Sequence, residues 1–257
     1  MEAIIINTGN ELLTGETINT NASWIASKLY NIGIKTKRII VIGDDCEELK
    51  KAIYWSISEK PDILIVTGGL GPTHDDKTIE CLSKALKTPV KVNAEAYKMI
   101  ADKYRELNLP LTPERTKMAK IPVNAKPIEN PVGVAPGVEL KIGKTTIYVL
   151  PGVPKEMTKM MEKHIIPRLR LETRDMRSIM KTVTVEGIPE SSIAPILKRI
   201  QDEYHGIEVK SHPIGSEQKP KLKIVFRLIE KGSLKPETIV DSAIKKLWEL
   251  LGEAYSS

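Results

Sequence analysis

Three glycines and two carboxylates crowd the end of one short apolar run, Ile63-Leu64-Ile65-Val66-Thr67-Gly68-Gly69-Leu70-Gly71-Pro72-Thr73-His74-Asp75-Asp76. Gly68, Gly69 and Gly71 leave backbone N–H groups uncovered, so an anion can approach closely, and a helix starting near Thr78 would turn its positive end to the same spot. Asp75 and Asp76 alone repel phosphate. Joined to an anion cradle, they imply a divalent, oxygen-seeking cation between the charges. The competing reading is helix capping, because aspartate after a Gly/Pro turn is a common helix start.

Two more turns carry glycine beside an acid. Thr8-Gly9-Asn10-Glu11 follows the run Ala3 to Asn7, and Leu150-Pro151-Gly152-Val153-Pro154 ends the run from Lys144, with Glu156 just beyond. Asp44 and Asp45 follow a further run, Lys35 to Ile42. Ligands of an open parallel sheet bind beyond the carboxyl ends of its strands, which is where these turns would meet. His74 is the one histidine inside a motif, and phosphate or solvent would suit it equally. His164, His205 and His212 read as structural or surface residues. Neither GxxxxGK[ST] nor GxGxxG follows the first run and no GxSxG occurs, which removes support from ordinary NTPase, dinucleotide oxidoreductase and covalent acyl chemistry.

The elements that must position these turns alternate strand and helix over the first seventy residues, the pattern of a parallel sheet. Ile4, Ile5 and Ile6 lack polar alternation, as in a strand covered on both faces. Helices are expected over Thr20 to Asn31, Cys46 to Lys60, Lys77 to Leu86, Ala94 to Leu107 and Lys155 to Leu169. The proline-rich stretch from Leu109 to Gly137 reads as an ordered loop around a short helix begun at Pro113. Between Arg170 and Arg177 periodicity is lost, which places a boundary there. Beyond it a βαββα order is expected, with strands at Met180 to Glu186, Ile207 to His212 and Lys221 to Ile229, and helices at Ser191 to Tyr204 and Pro236 to Leu251. The organisation is thus an α/β domain over 1–170 and a small α+β domain over 178–257.

With 257 residues, 41% of them hydrophobic, the chain can bury a substantial core. Its charge of +6 comes from lysines interspersed with glutamates, and aromatics total 4%, so neither a basic track nor a stacking platform for nucleic acid is evident. Cys46 and Cys81 lack metal-type spacing and are expected as free thiols. No apolar run is long enough for a membrane span, and Met1-Glu2-Ala3-Ile4 enters a strand without a basic leader, which gives a cytoplasmic expectation. Only Gln201 and Gln218 represent glutamine among abundant Lys, Glu and Ile, a bias of heat-adapted proteins.

Five blocks in order carry a family resemblance: Gly9 to Gly15 with Asn19-Thr20-Asn21, Val41 to Asp44, Thr67 to Asp76, Asn130 to Gly137, and Leu150 to Met157. They resemble the competence-damage-inducible CinA family, whose N-terminal domain has the molybdopterin-binding fold, a three-layer α/β structure. The βαββα segment looks like the small linking domain that follows it there. The resemblance implies a metal-dependent pyrophosphatase acting on ADP-ribose or a related nucleotide diphosphate, with Mg²⁺, Mn²⁺ or Co²⁺. Adenylylation or binding of molybdopterin, or noncatalytic nucleotide binding, stands as the alternative.

Carried over by motif, Asp44, Asp75 and Asp76 take catalytic roles, with Asp44 and Asp76 on the metal. Gly68, Gly69, Gly71 and Thr73 hold phosphate, with Glu11 contributed by the first turn. Asn130, Gly133, Pro136 and Gly137, together with Pro151, Gly152 and Glu156, close over the nucleotide. A homodimer is implied, without nucleic acid or membrane partners. The family's nicotinamide-mononucleotide deamidase domain is not expected within these 257 residues.

Overall fold

The triple isoleucine behaves as its lack of alternation requires: β1 (Glu2–Thr8) is an interior strand and Ile4, Ile5 and Ile6 are fully buried. The structure, a computed structural model, describes residues 1–216, 218–231 and 236–255. Contacts divide the chain into one unit of Met1–Tyr30 with Ile34–Glu172 and another of Asn31–Gly33 with Thr173–Ser257.

After β1 the first unit continues with α1 (Asn10–Leu13), α2 (Thr20–Tyr30), β2 (Lys35–Ile42), α3 (Cys46–Ser58), β3 (Ile63–Thr67) and α4 (Thr78–Leu86). Then come β4 (Val90–Val92), α5 (Ala94–Glu106), α6 (Pro113–Thr116), β5 (Lys120–Pro122), β6 (Lys126–Ile128), β7 (Gly137–Ile142) and β8 (Thr145–Leu150). It closes with α7 (Pro154–Met160), a π turn over Met161–Ile165, and α8 (Ile166–Glu172). Six strands form one sheet in the order β2-β1-β3-β8-β7-β6. The first four run parallel, whereas β7 is antiparallel to both of its neighbours. Parallel pairing brings the carboxyl ends of β1, β2, β3 and β8 to one rim.

Alternation along the strands divides the core between two faces. Ile4, Ile6, Leu64, Val66, Ile147 and Val149 cluster with Leu49 and Ile53 of α3, Leu82 of α4 and Ile100 of α5. Ile5, Ile65 and Tyr148 turn the other way, where α2 packs on β1 and on α7. Each buried isoleucine side chain contributes about 1.5–3 kcal/mol, so the rim stands on a rigid base.

Two expectations need correction. The stretch from Leu109 to Gly137 is more than a loop around one helix: β5 pairs with β4, β6 lies at the edge of the main sheet, and Gly137 opens β7. Pro127 is tolerated in β6 because an edge strand has one side free of ladder donors. Cys46 and Cys81 are joined in a disulfide rather than free, since packing of α3 on α4 brings their Cα atoms to 5.3 Å across a separation of 35 residues.

The second unit comprises β9 (Met176–Glu186), α9 (Glu190–Glu203), β10 (Glu208–Pro213), β11 (Lys221–Lys231) and α10 (Pro236–Tyr255). Its three strands are antiparallel in the order β10-β11-β9, and β9 starts at Met176 rather than Met180. Leu222, Ile224, Phe226 and Leu228 alternate inward from β11 against Ile193 and Leu197 of α9 and Val240 and Leu247 of α10. Among the described residues no helix is long and apolar enough to cross a membrane.

Candidate functional site

The carboxyl-end rim of the main sheet opens into a cleft of about 610 Å³. Its first wall comes from the turn after β1. There the Asn10 N–H donates to Asp44 Oδ2 at 3.1 Å and the Asp44 N–H donates to Asn10 Oδ1 at 3.0 Å, so the turns after β1 and β2 are locked reciprocally. Glu11 lies one residue beyond this lock. Asp45 caps α3 by accepting from the Glu47 and Glu48 N–H groups, which leaves Asp44 as the carboxylate in the cleft.

The glycine turn after β3 forms the floor. Gly68 has φ +108°, and a Cβ there would meet Thr8 Oγ1 at 2.3 Å; at Gly69, with φ +61°, a Cβ would meet Thr78 Oγ1 at 2.3 Å. These glycines therefore let three chain segments approach each other. The Gly68 N–H is spent on the Leu150 carbonyl and the Thr78 N–H on the Gly69 carbonyl, so neither serves an anion. The N–H groups of Gly69, Leu70 and Gly71 have no protein acceptor among the described residues. They are the donors that remain for a ligand.

Asp75 and Asp76 do not cap α4, whose N-cap Lys77 makes no side-chain capping bond. Asp76 instead closes its own turn: Oδ2 accepts from the N–H of Thr73 at 2.9 Å and from its hydroxyl at 2.7 Å. Oδ1 stays without a protein donor. Lys117 Nζ braces the same turn by donating to the Thr73 carbonyl at 2.5 Å. Asp75 is exposed beside His74, 3.4 Å from its Nε2.

The far wall is organised by one buried amide. Asn130 Nδ2 donates to the Ala135 carbonyl and, at 2.7 Å, to Glu156 Oε2, while its Oδ1 accepts from the N–H groups of Val132 and Gly133. This holds Glu156 at the cleft and shapes the loop that carries Gly133. Across from it Asn21 Nδ2 donates to the Gly152 carbonyl at 2.7 Å, tying α2 to the turn after β8.

Of the residues expected from sequence, Glu11, Asp44, Gly68, Gly69, Gly71, Asp75, Asp76, Gly133, Pro151, Gly152 and Glu156 line this cleft. Thr73 and Asn130 stand behind it as supports. Pro136 lines a neighbouring pocket, and Gly137 lies within β7, where a Cβ would meet the Val149 carbonyl at 2.9 Å. Sequence reasoning gave no role to Asn10, Asn21 and Lys117, although the first two stand within the blocks that carried the resemblance.

The lining is electrostatically one-sided. Glu11, Asp44, Asp75, Asp76 and Glu156 contribute five carboxylates, and no Lys, Arg or His of the described residues joins them. Among the described residues no three acidic, His or Cys side chains come together as a ready-made metal cage. The donor set is all oxygen, which fits a hard cation held by one or two carboxylates and completed by ligand oxygens.

These features define an α/β protein with a ligand cleft beyond the carboxyl ends of a mostly parallel sheet. Comparison with known proteins then identifies the family: the model described as "Probable molybdopterin binding domain" matches residues 4–171, and the chain belongs to that family. It is similar to the crystal structure of the protein CinA, of unknown function, from Thermoplasma acidophilum, with 42% identity and a TM-score of 0.59 over 63% of this chain and 94% of that one. A protein of Pyrobaculum calidifontis is 41% identical over 99% of this chain and 97% of its own length. One from Sulfurisphaera tokodaii is 44% identical over 98% and 94%. The chain is a CinA-like protein of the molybdopterin-binding fold.

Proposed function

We propose that the cleft binds an organic phosphate of the molybdopterin type together with a divalent cation. The observation that carries this reading is the lining itself, five carboxylates and no basic side chain facing a turn with three uncommitted amides. A phosphate entering alone would meet like charge; with Mg²⁺, Mn²⁺ or Co²⁺ between, the charges alternate. Asp44, fixed by Asn10, and Asp76, with Oδ1 open, are the residues that would hold the ion. When bound, such a cation neutralises phosphoryl oxygens and acidifies coordinated water. The chain supplies the rest: the Gly69 to Gly71 amides orient the phosphate, and Asn130 fixes Glu156 beside it.

Glu156 also favours a second reading, hydrolysis of a nucleotide diphosphate such as ADP-ribose to AMP and a sugar phosphate. A carboxylate held at the cleft by an amide donor is suited to accept the proton that water loses on attacking phosphorus. One pair of assays separates the readings. Molybdopterin retained in equilibrium dialysis only when the cation is present supports the first. AMP released from ADP-ribose without any pterin supports the second. Folded protein that does neither, with any of the three ions, removes both.

A further inference from the structure

The three-stranded sheet of the second unit has two faces of unlike chemistry. Val209, Leu222, Ile224, Phe226 and Leu228 turn inward to the core shared with α9 and α10. The alternate positions of the same strands form the other face, where pairing sets Lys210 opposite Val225, His212 opposite Lys223 and Glu208 opposite Arg227. Lys210, His212, Lys221 and Lys223 are exposed and Arg227 is half-buried. The two acids of this face are already matched, Glu186 to Lys221 at 2.7 Å and Glu208 to Arg227 at 3.8 Å. Lys210 and Lys223 have no acidic partner among the described residues. We propose that this face binds the phosphate backbone of a single nucleic-acid strand without reading its sequence.

Charge decides the partner. Strands β9, β10 and β11 hold seven Lys and Arg against three Glu, whereas α9 and α10 hold four against seven acids. The unit is therefore polarised, basic on its sheet and acidic on its helices, and draws a polyanion to the sheet side. Its cations stand at alternate residues of separate strands, which is why the sequence shows no basic run. Residues two apart on a strand lie about 6.8 Å apart on one face, an interval that suits successive phosphates of an extended chain. Thr182 and Thr184, exposed opposite Val225 and Lys223, add hydroxyl donors beside the lysines. No Phe, Tyr or Trp stands on this face among the described residues, so contacts fall on the backbone and not on stacked bases.

Fluorescence anisotropy tests this with the whole chain and a labelled oligouridylate of about twelve nucleotides, in chelator so that the cation-dependent cleft stays out of the measurement. Contacts to about three or four phosphates give a log–log salt slope of about −2 to −3, so raising NaCl from about 50 to 200 mM should weaken binding about fifteenfold or more. Lys210→Glu/Lys223→Glu should lose about tenfold or more at the lower salt and flatten the slope by about 1 or more. Lys198→Glu/Lys245→Glu makes the same charge change at exposed positions of α9 and α10 and should cost about threefold at most. The neutral pair Lys210→Gln/Lys223→Gln should lose less than the reversed pair, and unchanged thermal midpoints establish that each variant is folded. Absence of binding at the lower salt, or equal losses in the sheet and helix variants, overturns the proposal. Polyglutamate that competes as well as the oligouridylate overturns it too and assigns the face to an acidic protein.

Discussion

Breaking the Cys46–Cys81 disulfide should lower the unfolding free energy of the first unit by about 4 kcal/mol. The magnitude follows from the 35-residue separation of the two cysteines. Closing a loop of that size removes about 13 cal/mol/K from the unfolded chain, or about 4 kcal/mol at 25 °C. Native packing should change little, because α3 and α4 also meet through the apolar cluster that includes Leu49, Ile53 and Leu82. With a urea m-value of about 3 kcal/mol/M, the transition of this unit should move down by roughly 1.3 M, with its slope nearly unchanged. The comparison is wild-type protein with and without a phosphine reductant, alongside the Cys46→Ala/Cys81→Ala double variant, which must match the reduced wild type and ignore the reductant. Two titratable thiols in unreduced, unfolded protein, or coincident transitions throughout, would refute the reasoning.

Asn130→Ala removes four hydrogen bonds, leaving the Val132 and Gly133 N–H groups, the buried Ala135 carbonyl and the Glu156 carboxylate without that partner, so a loss of about 2–4 kcal/mol in urea unfolding is expected. A change under about 0.5 kcal/mol would show that the loop holds itself. Gly68→Ala should cost about 3 kcal/mol or more, because it adds an atom 2.3 Å from Thr8 Oγ1 in a conformation that L residues avoid; near-wild-type stability would contradict the close approach. Burial holds the His164 imidazole below its ordinary range, with Lys163 and Arg168 adding to this and Glu129 opposing it. Its contribution is therefore present above the unfolded value near 6.5 and is lost as pH falls below it. His164→Gln should flatten the stability profile between about pH 7 and 5, and an unchanged slope would assign that dependence elsewhere.

The central strands were legible because burial on both faces leaves a run such as Ile4-Ile5-Ile6 with no polar residue, and β11 was legible for the complementary reason, alternation on a half-covered sheet. The edge of the main sheet was not. Lys126-Pro127-Ile128 is too short for a periodic signal, and β7 starts at a glycine that reads equally as the end of a loop. The disulfide depends on α3 packing against α4, a tertiary fact with no local trace in spacing. In the site, residue type pointed to carboxylates and glycines, and the rim topology gathers most of them into one cleft. Type could not tell which amides stay free: Gly68 spends its N–H on Leu150, while Gly69 and Gly71 keep theirs. Nor could it separate the capping Asp45 from Asp44, which only the reciprocal bonds with Asn10 distinguish.

Phosphate should enter this acidic cleft only together with a cation. Calorimetric titration of pyrophosphate into wild-type protein and Asp44→Asn, each with Mg²⁺ and with a chelator, measures this, since the asparagine keeps an acceptor for the Asn10 N–H while removing the charge. Binding to the wild type that needs Mg²⁺ and weakens about tenfold or more in Asp44→Asn is predicted. Binding of equal strength in chelator, or no binding with Mg²⁺, would contradict it.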